Sequence, residues 1–123
     1  MTRKEKELLL KDLCARLPYK VIIKSVGENK IIGLWDLRDI DNLPLPYLRP
    51  LSSMTEKEKE TYHNLCYEEE KEEYKFGEWV TRVYYHDTID SIDYLNLIHI
   101  DYRDLIPKGF AIEVTESNNP YKD

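Results

Sequence analysis

Long hydrophobic runs, glycine and cysteine are what this chain has least of, and each shortage excludes something. Its longest apolar stretches are three residues, such as Leu8 to Leu10, against the run of about 18 that a membrane-crossing helix requires. Only four glycines are present, Gly27, Gly33, Gly77 and Gly109. They leave little material for a phosphate-cradling loop, and no GxSxG, P-loop or GxGxxG occurs. The two cysteines, Cys14 and Cys66, each fall inside a helix-like pattern rather than a disulfide framework, which fits free thiols in a reducing interior. The basic start of the chain lacks the apolar segment of a signal peptide, so a cytoplasmic protein is expected. At 123 residues two independent cores would not fit, and one domain over 1–115 with a flexible tail over 116–123 is expected.

What the chain does have is charge, unevenly spread. Lys and Arg number 18 against 24 Asp and Glu, for a net charge of −6. Residues 1–24 carry seven basic and three acidic side chains, whereas residues 55–73 carry three basic and eight acidic. An acidic surface repels phosphate backbones, so nucleic acid is not the expected partner. A nucleic-acid module remains as an alternative, resting on the basic N-terminal residues Arg3, Lys4, Lys6, Lys11 and Arg16 alone. The second compositional feature is ten tyrosines against two Phe and two Trp. Tyrosine pairs an apolar ring with a polar tip and suits half-buried positions and interface anchors.

Thr2 with Glu5 has capping-box spacing and predicts a helix from Arg3, with Leu9, Leu13 and Leu17 on a core-facing stripe, Lys4, Lys11 and Arg16 facing water, and Pro18 as the stop. Val21, Ile22, Ile23 and Val26, followed by Gly27-Glu28-Asn29, predict a hairpin of strands 19–26 and 30–37, with Gly33 at a bulge or close approach. Pro44, Pro46 and Pro50 make 39–53 an irregular connection. A second capping box, Thr55 with Glu58, opens a helix expected to reach Lys75; the all-charged run Glu68 to Glu73 would then leave it protruding. Residues 78–85 read as a strand, with a continued helix as the alternative. Ser91 is the expected N-cap of a short helix, and 110–114 reads as a last strand. The fold class expected is α+β: a small antiparallel sheet packed against two or three helices, with one long acidic helix protruding.

Three segments taken together, Glu7 to Tyr19, Tyr47 to Glu56 and Ser91 to Gly109, cover about a third of the chain. They resemble a group of short proteins encoded in prophages and mobile elements of Bacteroides-type gut bacteria. That group has Trp at the position of Tyr94 and Gly at the position of Asp104. The resemblance implies a genomic setting and nothing about catalytic residues.

His63 and Cys66, three residues apart, have a spacing that can put two ligands on one metal. No CxxC or HxxxH completes the set, so neither metal nor cofactor is expected. His99, Asp101 and Arg103 are the densest polar cluster. They would suit a general base, its orienting carboxylate and an anion-binding cation, yet helix-end electrostatics account for the same residues. The sequence therefore points to a non-enzymatic accessory protein of a phage or mobile element, acting by contact with a host or phage protein. The expected surface is the acidic segment with Tyr62, Tyr67, Tyr74, Glu69, Glu70, Glu72 and Glu73, with mimicry of a phosphate backbone as a variant. A small enzyme around His99 is the remaining alternative.

Overall fold

Thr2 caps the first helix as its sequence dictates: the Glu5 amide donates to Thr2 Oγ1 at 3.2 Å, and the Thr2 amide to Glu5 Oε1 at 2.7 Å. The structure, a computed structural model, describes residues 1–25 and 27–122. Val26, expected at the end of the first hairpin strand, and Asp123 lie outside the described residues. Along the chain run α1 (Arg3–Arg16), β1 (Ile22–Ser25), β2 (Glu28–Ile31), β3 (Leu45–Leu48), α2 (Glu56–Leu65), β4 (Tyr67–Lys75), β5 (Glu78–His86), α3 (Ile89–Leu97) and β6 (Ile112–Glu113), with short 3₁₀ turns between several of them. The class is α+β. No helix among the described residues is long and apolar enough to cross a membrane. Contacts divide the chain into two compact units, residues 1–53 with 96–123, and residues 54–95.

In the first unit the sheet order is β2-β1-β3-β6. The β1–β2 and β1–β3 pairs are antiparallel, while β3–β6 is parallel, so the sheet is mixed rather than purely antiparallel. β3 lies within the connection expected to be irregular. Pro46 fits there because β3 changes partner along its length: Leu45 and Pro46 pair with β1, and Tyr47 and Leu48 with β6. The proline's missing N–H thus falls where only one neighbour is engaged. Leu9 and Leu13 of α1 pack with Val21, Ile23, Ile32, Leu48, Leu105, Phe110 and Ala111 into the core. Residues 34–37, expected as strand, form a 3₁₀ turn; Gly33 is extended, and a Cβ there would meet only ordinary contact. The expected tail is also tied down. Tyr121 donates to the Tyr47 carbonyl at 2.7 Å and accepts from the Ile22 amide at 2.9 Å. Asp104 has φ 57. Aspartate is one of the few residues other than glycine that visit this left-handed region.

In the second unit, α2 begins on the expected capping box, Glu58 donating its amide to Thr55 Oγ1 at 3.1 Å, but ends at Leu65. The long acidic helix is not formed. Tyr67–Lys75 is instead a strand, paired antiparallel over its whole length with β5 through a two-residue turn, Phe76-Gly77. Both turn residues are left-handed, with φ 52 and 79, the type I′ arrangement that matches strand twist. Glu and Lys favour helix only weakly, by tenths of a kcal/mol each. That preference yields to a partner strand rich in β-branched and aromatic side chains. α3 starts one turn before its expected cap: Thr88 is the capping residue, accepting the Ser91 amide at 3.0 Å, while Ser91 Oγ accepts the Thr88 amide at 2.7 Å.

Candidate functional site

Strand alternation sorts the β4–β5 ribbon into two unlike faces, because residues paired across strands share a face. One face carries Tyr67, Glu69, Lys71, Glu73 and Lys75 opposite His86, Tyr84, Arg82, Val80 and Glu78. All its charged side chains but Glu78 pair with one another. Glu69 lies 2.7 Å from His86 and 3.6 Å from Lys71; Glu73 lies 3.3 Å from Arg82 and 3.6 Å from Lys75. The Tyr84 hydroxyl donates to Glu73 Oε1 at 2.7 Å. That bond first, then the Arg82 and Lys75 charges, hold the Glu73 carboxyl below the ordinary carboxylate range.

The opposite face is open. It carries Glu68, Glu70, Glu72 and Tyr74 opposite Tyr85, Val83, Thr81 and Trp79, and all eight side chains are exposed. No cation pairs with Glu68, Glu70 or Glu72 among the described residues. At the turn end Tyr74 and Trp79 meet edge to face, 5.4 Å between ring centres, and Phe76 is completely exposed. At the other end His63 of α2 stacks on Tyr85, 4.2 Å between rings. The ribbon therefore presents an acidic column beside a column of aromatic and β-branched side chains, ending in three solvent-facing aromatics.

Of the expected contact residues, this geometry brings Glu70, Glu72 and Tyr74 together and separates them from Glu69, Glu73 and Tyr67, which lie on the internally paired face. Tyr62 belongs to α2 and donates its hydroxyl to Asp87; burial, then that bond, pushes its pKa up. Trp79, Phe76 and Val83 were not among the expected contact residues. A signal for them existed: Phe76-Gly77 between two nine-residue segments has the length and terminal glycine of a two-residue hairpin loop.

The basic N-terminal set is dispersed. Arg3 pairs with Glu7 at 3.2 Å and Lys6 with Asp41 at 2.7 Å; Lys4 and Lys11 are exposed. Arg16 is fully buried rather than facing water, so it cannot reach a phosphate backbone. Its Nε donates to Asp12 Oδ2 at 2.8 Å, its Nη2 to the Ile100 carbonyl at 2.7 Å, and Nη1 is buried without a partner. Cys14 is exposed, and both cysteines are free thiols.

The polar cluster near His99 is likewise rearranged. Arg103 donates to Asp12 Oδ1 at 2.9 Å, and the Arg16 and Arg103 guanidiniums both lie against the Tyr102 ring, at 5.1 and 4.8 Å. Asp101 accepts the amides of Arg103, Leu105 and Ile106 at 3.3, 3.0 and 2.8 Å, organising the turn that follows it. It does not orient His99, whose ring is stacked against Tyr121 at 4.0 Å with Nδ1 buried and unpartnered. The base, orienter and anion-binder expected from the sequence are thus three separate structural fittings. No group of three or more His, Cys, Asp or Glu able to hold a metal occurs among the described residues; the His63 carbonyl accepts the Cys66 amide, closing α2. No protein family, curated protein or solved structure matches the chain.

Proposed function

We propose that the protein is a non-enzymatic accessory protein that acts by protein–protein contact through the open face and turn of the β4–β5 ribbon. The observation that carries this reading is the aromatic end of the ribbon. Tyr74, Phe76 and Trp79 are 62%, 103% and 72% exposed, and Phe76 occupies a left-handed turn position that favours Asn, Asp or Gly. An apolar side chain kept at a position of poor local fit, fully in water, contributes nothing to this fold and supplies an anchor for a partner. The unneutralised glutamates beside it favour a basic partner surface. The phage or mobile-element setting that the sequence resemblance implies is part of the proposal and places the partner in the host or the phage.

The test is capture of partners by the tagged full chain from lysate of a Bacteroides-type host, with nuclease present, alongside the variant Phe76→Ser/Trp79→Ala. A stoichiometric protein retained by the wild type and lost with the variant is the expected result. Retention that disappears with nuclease, or that ignores the double substitution, overturns the proposal. Excess DNA displacing the captured protein identifies its contact surface as a nucleic-acid site, the outcome expected of phosphate mimicry.

A further inference from the structure

The two-residue turn fixes which backbone groups of the ribbon are used. In such a hairpin the pair flanking the turn, here Lys75 and Glu78, exchanges both hydrogen bonds, and bonded pairs then recur at every second residue. The groups of Lys75, Glu73, Lys71, Glu69 and Tyr67 therefore point inward to β5, in the register observed. Those of Glu68, Glu70, Glu72 and Tyr74 point away from it, along the outer edge of β4, and no other described group bonds them. Three of these four residues, Glu68, Glu70 and Glu72, are also the ones on the ribbon's open face whose carboxylates lack cations.

We propose, resting on the contact reading above, that the outer edge of β4 accepts an extended basic segment of a partner protein as an added strand, with Lys or Arg at alternate positions opposite Glu68, Glu70 and Glu72. Alternate residues of a strand stand about 6.7 Å apart on one face, so a partner with cations at every second position meets each carboxylate at cross-strand distance. Strand addition supplies affinity through main-chain bonds and specificity through alternate side chains. The same column rejects the commonest wrong partner. Two copies of β4 placed edge to edge would set glutamate against glutamate, which disfavours self-pairing. On the open face β5 offers Trp79, Thr81, Val83 and Tyr85, with no charge there to select a basic strand.

The experiment uses the full chain and two synthetic nine-residue peptides of equal composition, one with Lys alternating with Thr and Val, the other with its lysines consecutive, read by fluorescence anisotropy. The alternating peptide is expected to bind at least tenfold more tightly. Glu70→Pro removes an outward N–H without breaking a hairpin bond, so it should weaken that binding about tenfold while the melting curve stays close to wild type. Glu68→Gln/Glu70→Gln/Glu72→Gln should weaken it and flatten its salt dependence. In the unmodified chain, amide exchange at Glu68, Glu70 and Glu72 should slow on adding the alternating peptide, a readout independent of how any variant folds. Equal affinity for the two peptides, or unchanged exchange at those amides, overturns the inference. If either occurs while lysate capture still depends on Phe76 and Trp79, edge pairing fails and the contact reading stands.

Discussion

His99 lies with its ring flat on Tyr121 and Nδ1 shut away from water and from any partner. Burial, then the charges of Arg16 and Arg49, lowers its pKa from 6.5 to about 4. A pKa lower in the folded than in the unfolded chain means that the unfolded chain takes up the proton first. Stability from this residue is therefore complete above about pH 6.5 and is lost as pH falls toward 4. Urea midpoints at pH 7.5, 6 and 5 should decline in that order. His99→Asn, which keeps a side chain tolerant of the observed φ of 63, should flatten the decline across the same window. The neighbouring Asp12 has a different burden, since both its oxygens hold arginines and both it and Arg16 are fully buried. Asp12→Ala strands those charges and is expected to cost about 3–5 kcal/mol, measured as the loss of urea unfolding free energy. Charge alone in the sequence could not assign these roles. Arg16 reads as a surface cation on a helix, and its burial rests on Asp12 one turn before it together with the distant Ile100 carbonyl and Tyr102 ring.

At the scale of elements, the capping boxes were legible because their donors and acceptors lie three residues apart: Thr2 with Glu5 and Thr55 with Glu58 start their helices where the spacing says. The helix ends and the paired strands depend on distant residues. The segment Tyr67–Lys75 is helical by composition, and its conversion to strand is decided by β5 and by the turn between them. β3 was hidden by Pro44 and Pro46, whose placement becomes acceptable only once the partners on each side of Pro46 are known. The turn carries its own prediction. Phe in the left-handed region costs about 1 kcal/mol, and Asn-Gly is the preferred pair for this turn. Phe76→Asn should therefore raise the thermal midpoint, by an amount equivalent to about 1 kcal/mol, while weakening partner capture. A variant both more stable and less able to bind would separate the turn's local energetics from its use.

For the whole molecule, α+β character was legible from mixed helical and β-branched segments, whereas the mixed sheet and the second compact unit were not, since both arise from pairings between distant stretches. The candidate surface was legible by composition, tyrosine with glutamate, and misread by period: a helix would have spread those side chains around an axis, and the strand divides them between a self-neutralised face and an open one. Tyr121 joins residues far apart in sequence, bonding both Ile22 and Tyr47. Tyr121→Phe removes both bonds and leaves the Tyr47 carbonyl without this donor. It should cost about 1–2 kcal/mol, seen as a lower urea midpoint with an unchanged far-ultraviolet circular dichroism spectrum.

The first unit is built from residues 1–53 and 96–123, with the second unit encoded between them. On the ribosome this arrangement imposes an order. The ribbon's strands and turn are adjacent in sequence and can close as soon as β5 has emerged, whereas Leu9, Leu13, Val21 and Ile23 must wait for Leu105, Phe110 and Ala111 before their core is complete. During synthesis the proposed contact surface can therefore form before the core of the first unit is complete, and a nascent chain halted after β5 would already carry Tyr74, Phe76 and Trp79.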